Sequence, residues 1–148
     1  MLTVRLLCVG KLKERFYTDA FAEYSKRLGR YCIFEPEELP ELGDLEREAR
    51  QMERRIPTQS CVIAMCVEGK LLSSPALAEL IQARMSGGCS RLCVLIGGSD
   101  GLADRLKQRA DVRLSMSPMT FPHHLARVMT AEQLYRAFTI LSGEKYHK

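Results

Sequence analysis

The stretch Leu92–Gly101, LCVLIGGSDG, runs five apolar residues into two glycines and then into Asp100-Gly101. Five apolar residues in a row, without polar alternation, predict a strand covered by helices on both faces, as in a parallel sheet. Glycine has no Cβ and reaches positive φ, so a strand stopping on Gly97-Gly98 lets another group approach the backbone closely. That group is a phosphate, a cofactor or only the next helix. The stretch is not G-x-G-x-x-G, it closes the fourth strand candidate rather than the first, and no P-loop lysine follows. Taken alone, it reads as a tight strand-to-helix turn with Asp100 as the helix cap.

Outward from Leu92, short apolar runs alternate with helical spacing. Strands are predicted at Thr3–Val9, Tyr31–Phe34, Cys61–Val67, Arg91–Ile96 and Val112–Ser115. Helices are predicted at Tyr17–Leu28, Leu45–Arg55, Pro75–Met85, Leu102–Arg109 and Leu125–Leu141. Ser74-Pro75 is a helix start, serine capping free amides and proline suiting the first turn, and Gly87-Gly88 is a matching stop. Such alternation predicts an α/β fold, a mostly parallel sheet flanked by helices, in one domain over 1–148. Ligands of these sheets bind outside the carboxyl ends of the strands. Three segments leave those ends here: Met65–Lys70, Gly97–Gly101 and Met116–His124.

Composition is that of a globular chain, 46% hydrophobic and 27% charged over 148 residues, which excludes disorder as the working state. No apolar run reaches the ~20 residues that span a bilayer. The opening MLTVRLLCVGKLKE carries Arg5 inside its apolar stretch and predicts a first strand rather than a signal peptide, hence a cytoplasmic protein. Cys8, Cys61, Cys66 and Cys93 fall in strand-like runs, with Cys32 and Cys89 bordering others, and no C-x-x-C occurs. The cysteines therefore read as core thiols, with no metal expected. The net charge of +4 is modest, but its distribution is uneven. Basic ends (Arg5, Lys11, Lys13, Arg15, Lys26, Arg27, Arg30; then Arg127, Arg136, Lys145, Lys148) flank an acidic stretch from Glu35 to Glu48. The two ends could hold a polyanion, or they could simply be solvated surface.

In SMSPMTFPHHLARVM, Pro118 and Pro122 enforce an extended loop whose free backbone groups can read the edge of an adenine. The last helix repeats Leu125, Val128, Met129, Leu134, Tyr135, Phe138 and Leu141, a stripe suited to a core or a dimer face. Glu132 and Arg136 stand one helical turn apart and can pair. After Gly143 the chain ends EKYHK. Tyr146, His147 and Lys148 combine an aromatic ring, a near-neutral base and a cation, able to stack on a base, move a proton and hold a phosphate.

LIGGSDG, MTFPHHLARVMTAEQLYRAFTI and the terminal YHK together resemble the SPOUT-type methyltransferases that modify a pseudouridine of 23S ribosomal RNA. The resemblance covers the whole chain, including VRLLCVGKLK, and is strongest from Leu92 to Lys148. It implies a trefoil knot in the C-terminal half, which runs against the general rarity of knotted chains. It implies methylation of N3 of the pseudouridine from S-adenosylmethionine, with Gly97 admitting that cofactor. Met65, Gly97 and the run Met116, Ser117, Pro118, Met119, Thr120 and Phe121 would hold it. These positions fall on the three segments chosen by the strand-end rule. The family's tail enters the partner subunit's pocket, which implies a homodimer as the active unit, with 23S rRNA, free or in the ribosome, as its partner. His147 would then assist proton removal, with Tyr146 positioning the base and Arg136 or Lys148 holding phosphate. The family often reads Gly-Pro-Glu-Gly where Gly98-Ser99-Asp100-Gly101 stands, and often has proline where Lys145 stands. The second difference implies a tail that stays mobile until RNA binds. Two other classes remain open on the residues alone: a Rossmann-type oxidoreductase, which lacks its fingerprint, and a non-catalytic RNA-binding or ribosome-assembly protein.

Overall fold

A computed structural model describes all residues, 1–148. Its strands are β1 (Thr3–Val9), β2 (Ile33–Leu39), β3 (Cys61–Leu71), β4 (Arg91–Ile96) and β5 (Val112–Ser115). Its helices are α1 (Arg15–Leu28), α2 (Leu45–Arg55), α3 (Ser74–Ser86), α4 (Asp104–Arg109) and α5 (His123–Leu141). The strands form one sheet in the order β2-β1-β4-β3-β5, and every ladder is parallel. LCVLI is the most central of them, buried along five consecutive residues because helices cover both faces. Leu92, Val94 and Ile96 meet α1, α3 and α5 through Leu28, Ile81, Ala131 and Phe138. Cys93 and Leu95 point the other way, onto Met52 of α2 and Leu106 of α4.

The structure corrects several boundaries, and α1 and α5 each begin two residues before the expected start, at Arg15 and His123. β2 lies at Ile33–Leu39 rather than Tyr31–Phe34: it is an edge strand, where Pro36 and acidic side chains are tolerated. β3 runs past Val67 to Leu71 because its ladder with β5 breaks between Met65 and Lys70, and both of these pair with Leu114. The residues between them bow out of the sheet. Their return depends on Gly69, where a Cβ would lie 2.7 Å from the Leu114 backbone. Helix α3 is capped by Ser73, whose hydroxyl accepts from the Ala76 amide at 3.2 Å. Ser74 instead donates to Gln133 at 2.6 Å. Finally, Asp100 does not cap α4. Leu102 and Ala103 are first buried against α2, and the helix starts at Asp104.

No helix is long and apolar enough to cross a membrane. All six cysteines are free thiols, and no three His, Cys, Asp or Glu side chains converge as a metal site would require. Burial pushes the Cys8, Cys32 and Cys93 thiols up to about 12, so almost no thiolate is present near neutrality. Alkylation of the native protein at pH 8 should therefore begin at half-exposed Cys89. Cys8, Cys32 and Cys93 should react only in denaturant, as peptide mapping by mass spectrometry would show. Labelling of Cys93 in the native state would contradict its place in the core.

Candidate active site

The three chosen segments converge. A cavity of about 210 Å³ opens at the carboxyl ends of β3, β4 and β5, and Met65, Gly97, Met116, Ser117, Met119, Thr120 and Phe121 all line it. Of the expected set only Pro118 does not face this space; it shapes the loop. The first turns of α5 add His123, Ala126 and Thr130. A second cavity, about 270 Å³, shares Met65, Ser115, Met116 and Thr130 with the first and reaches Ser74 and Gln133. The two adjoining spaces together fall in the ~300–1,000 Å³ range of small-molecule sites.

The loop after β5 is locked by its own serines. Ser115 Oγ donates to the Ser117 carbonyl at 3.0 Å, and Ser117 Oγ accepts from the Met119 amide at 3.0 Å. The Thr120 and Phe121 amides make no hydrogen bond within the chain, which leaves them free for a ligand. On the opposite wall the chosen segment Met65–Lys70 contributes more than the single expected contact Met65, and Lys107 of α4 joins it unforeseen. The bowed residues Cys66, Val67 and Glu68 face the cavity, and Glu68 receives a 2.6 Å ion pair from Lys107 of α4, another lining residue. Only the ladder break revealed by the structure brings them there. His123 is held below its ordinary pKa, first by burial and then by neighbouring His124.

Gly97 requires a correction of cause. A Cβ there would sit 2.3 Å from the Gly101 carbonyl carbon and oxygen, and 2.8 Å from the Leu102 amide nitrogen. The missing side chain thus lets the chain fold back on itself. Gly101 completes that turn at φ +77, its amide donating to the Gly98 carbonyl at 3.0 Å. Gly97 borders the cavity, but closure of the turn is what excludes a side chain.

The other expected residues gather elsewhere, on the second half of α5. Glu132 accepts from Arg136 Nη2 at 2.6 Å and Nε at 3.3 Å, and from the Tyr146 hydroxyl at 2.7 Å. The Arg136 guanidinium lies 4.7 Å from the Tyr146 ring centroid, and its Nη1 is 3.2 Å from His147 Nδ1. Burial and the Glu132 carboxylate push the Tyr146 phenol up, so it is a neutral donor. Lys148 is exposed and joins none of these contacts. The tail is docked by Glu144, which accepts from the Tyr31 hydroxyl at 2.6 Å, and by Tyr146 packed on Tyr135 at 4.8 Å. From Thr130, at the cavity, to Arg136 is six residues of helix, or about 9 Å along α5.

The stripe on α5 divides between roles. Val128 and Leu134 are buried in the chain's own core, while Leu125 and Met129 stay half-buried. The basic ends are likewise mostly committed. Arg5, Arg15, Arg27, Arg30, Arg127 and Arg136 each form an ion pair, while Lys11, Lys13, Lys26, Lys145 and Lys148 form none.

Residues 2–147 match the family described as "Predicted SPOUT methyltransferase". The chain belongs to this family. Among solved structures it is similar to a probable methylase family protein from Haemophilus influenzae Rd KW20. The TM-score is 0.58 at 12% identity, covering 98% of this chain and 70% of that one. It also matches the SpoU methyltransferase AviRb from Streptomyces viridochromogenes, solved in complex with AdoMet, with TM-score 0.49, 11% identity and coverage of 95% and 58%. The first likeness shows a shared fold. The five-stranded α/β sheet is thus that of a SPOUT methyltransferase.

The corrected role of Gly97 generates a test. Gly97→Ala should cost about 1–3 kcal/mol through the turn clash, with or without ligand. Urea unfolding of the ligand-free variant measures it. Unchanged stability with a lost ligand would return Gly97 to the role of direct contact.

Proposed function

We propose that this SPOUT methyltransferase transfers the methyl group of S-adenosylmethionine to N3 of a pseudouridine in 23S ribosomal RNA, as a homodimer in the cytoplasm. The observation that carries the reading is the separation of the site into two parts. One part is a cavity with free amides on a serine-locked loop; the other is a docked cluster of Tyr146, His147 and Arg136 that lines neither of the two cavities. Neither part suffices, and a second subunit brings the tail of one to the cavity of the other. Half-buried Leu125 and Met129 are the part of the α5 stripe left for that interface.

The residues present fit the cofactor. Apolar walls from Ile96, Leu102, Met116 and Phe121 suit an adenine ring, and the Thr120 and Phe121 amides lie free for its edge. Glu68 and Lys107 bring opposite charges to the cavity and match an amino-acid end that carries both. The cofactor supplies an activated methyl on a sulfonium, so what the protein must provide is alignment of an acceptor lone pair. Tyr146 offers a ring face to the target base, and unpaired Lys148 a cation to its phosphate. Unpaired Lys11, Lys13, Lys145 and Lys148 provide further positive charge for RNA. We also propose that the chain is threaded as a trefoil. After outer strand β5 it crosses the ends of β3 and β4, and Arg127 then anchors α5 on the carbonyls of Val9, the last residue of β1, and of Gly10 just after it.

Incubation with tritiated S-adenosylmethionine and ribosomes should place label on one pseudouridine of 23S rRNA. Deletion of Tyr146–Lys148 should abolish the label while calorimetry still records cofactor binding. Label elsewhere would reassign the substrate, and label retained after the deletion would remove the tail from the site.

A further inference from the structure

We infer that Glu132 is the positioning residue of the C-terminal tail, and that through Arg136 it holds His147 as the Nε2–H tautomer, a hydrogen-bond donor to the target base. The inference rests on the methyltransferase reading and gives His147 a role other than general base.

A guanidinium has N–H donors and no acceptor, so its contact with an imidazole nitrogen requires a lone pair there. Arg136 Nη1 stands 3.2 Å from His147 Nδ1. A neutral imidazole has a single N–H, which must then sit on Nε2. Nδ1 is occupied and Nε2 has no lone pair, so the docked ring has no free basic site. What it presents outward is a donor.

Glu132 makes that arrangement single-valued. Its carboxylate takes Arg136 Nε and Nη2, leaving Nη1 aimed at His147, and it takes the Tyr146 hydroxyl as well. The Tyr146 ring under the guanidinium completes the clamp. Behind Glu132 the chain of bonds continues into the second cavity. Gln133 Nε2 donates to Glu132 Oε1 at 3.1 Å, and Gln133 Oε1 accepts from Ser74 at 2.6 Å. Ser74 and Gln133 line that cavity, which adjoins the first. A bonded path therefore runs from the cavity wall to the imidazole.

A donor suits the reaction. When the imide N3 loses its proton to solvent, the charge spreads onto the flanking carbonyl oxygens. An Nε2–H aimed at one of them stabilises that anion, as an oxyanion-hole donor does. The N3 lone pair then forms the new N–C bond as the methyl–sulfur bond breaks, its electron pair remaining on sulfur.

The test reads the tautomer directly, by long-range ¹⁵N–¹H correlation NMR on the intact protein at pH 8, without RNA or cofactor. His147→Gln identifies the signal. The expected spectrum shows His147 protonated on Nε2, and Glu132→Gln should turn it into a tautomer mixture. In the same variant kcat should fall about ten-fold or more, with KM for RNA and cofactor within about two-fold of wild type. An Nδ1–H tautomer in the wild type would overturn the inference, because Nε2 would then be free as a base; an unchanged kcat in Glu132→Gln would overturn it too. If wild type transfers no methyl to RNA, the methyltransferase reading fails and the donor role with it, whereas the tautomer on the free protein stands or falls separately.

Discussion

A guanidinium buried to 2% exposure sits where the two halves of the molecule meet. Arg127, on the second turn of α5, donates to Glu38 at 2.7 Å and to the Gly10 and Val9 carbonyls at 2.9 and 3.2 Å. A charge removed from water costs several kcal/mol unless it is paired and hydrogen-bonded, so these partners fix where α5 can lie. Its Nε finds no partner, which makes the remaining bonds the more necessary. Because α5 enters against the end of β1, its first turns form one wall of the cavity and its later turns carry the tail cluster. Position along both stretches of α5 follows from one buried guanidinium and the partners that it must keep.

That pair also explains the acidic stretch. Read as charge alone, Glu35–Glu48 is a solvated block beside basic ends. In the structure most of its carboxylates have a structural partner. Glu35 pairs with Arg5, Glu37 with Arg55 and Glu46 with Arg105. Glu38 also accepts from the Leu12 amide, Glu41 from the Ser99 hydroxyl, and Asp44 caps α2. Glu48 turns back to the Leu42 and Gly43 amides. The stretch is a set of ties between the edge strand, α2 and the glycine turn.

What the sequence reveals and hides divides along physical lines. Periodicity places all ten elements, because the apolar residues alternate or repeat as burial on two faces of a sheet demands. The strand-end rule finds the cavity, because chemistry at the ends of parallel strands depends on topology alone. Long-range pairing is not legible. Nothing in CVEG announces that the ladder breaks there, nothing in RVM that its arginine is core, and nothing in AEQ that Glu132 orders the tail. The glycines of LIGGSDG carry a correct signal of close approach, but spacing does not say that the approaching group is Gly101 itself.

In the proposed enzyme a cavity and a tail complete each other across two subunits. The direct measurement is complementation. Thr120→Arg places a long cationic side chain in the cavity, and a second protein lacks Tyr146–Lys148; each alone should be inactive on ribosomes. After subunit exchange, mixed dimers carry one intact site, so an equal mixture should recover roughly a quarter of wild-type methyl transfer. A mixture as inactive as its components would contradict a site shared between subunits.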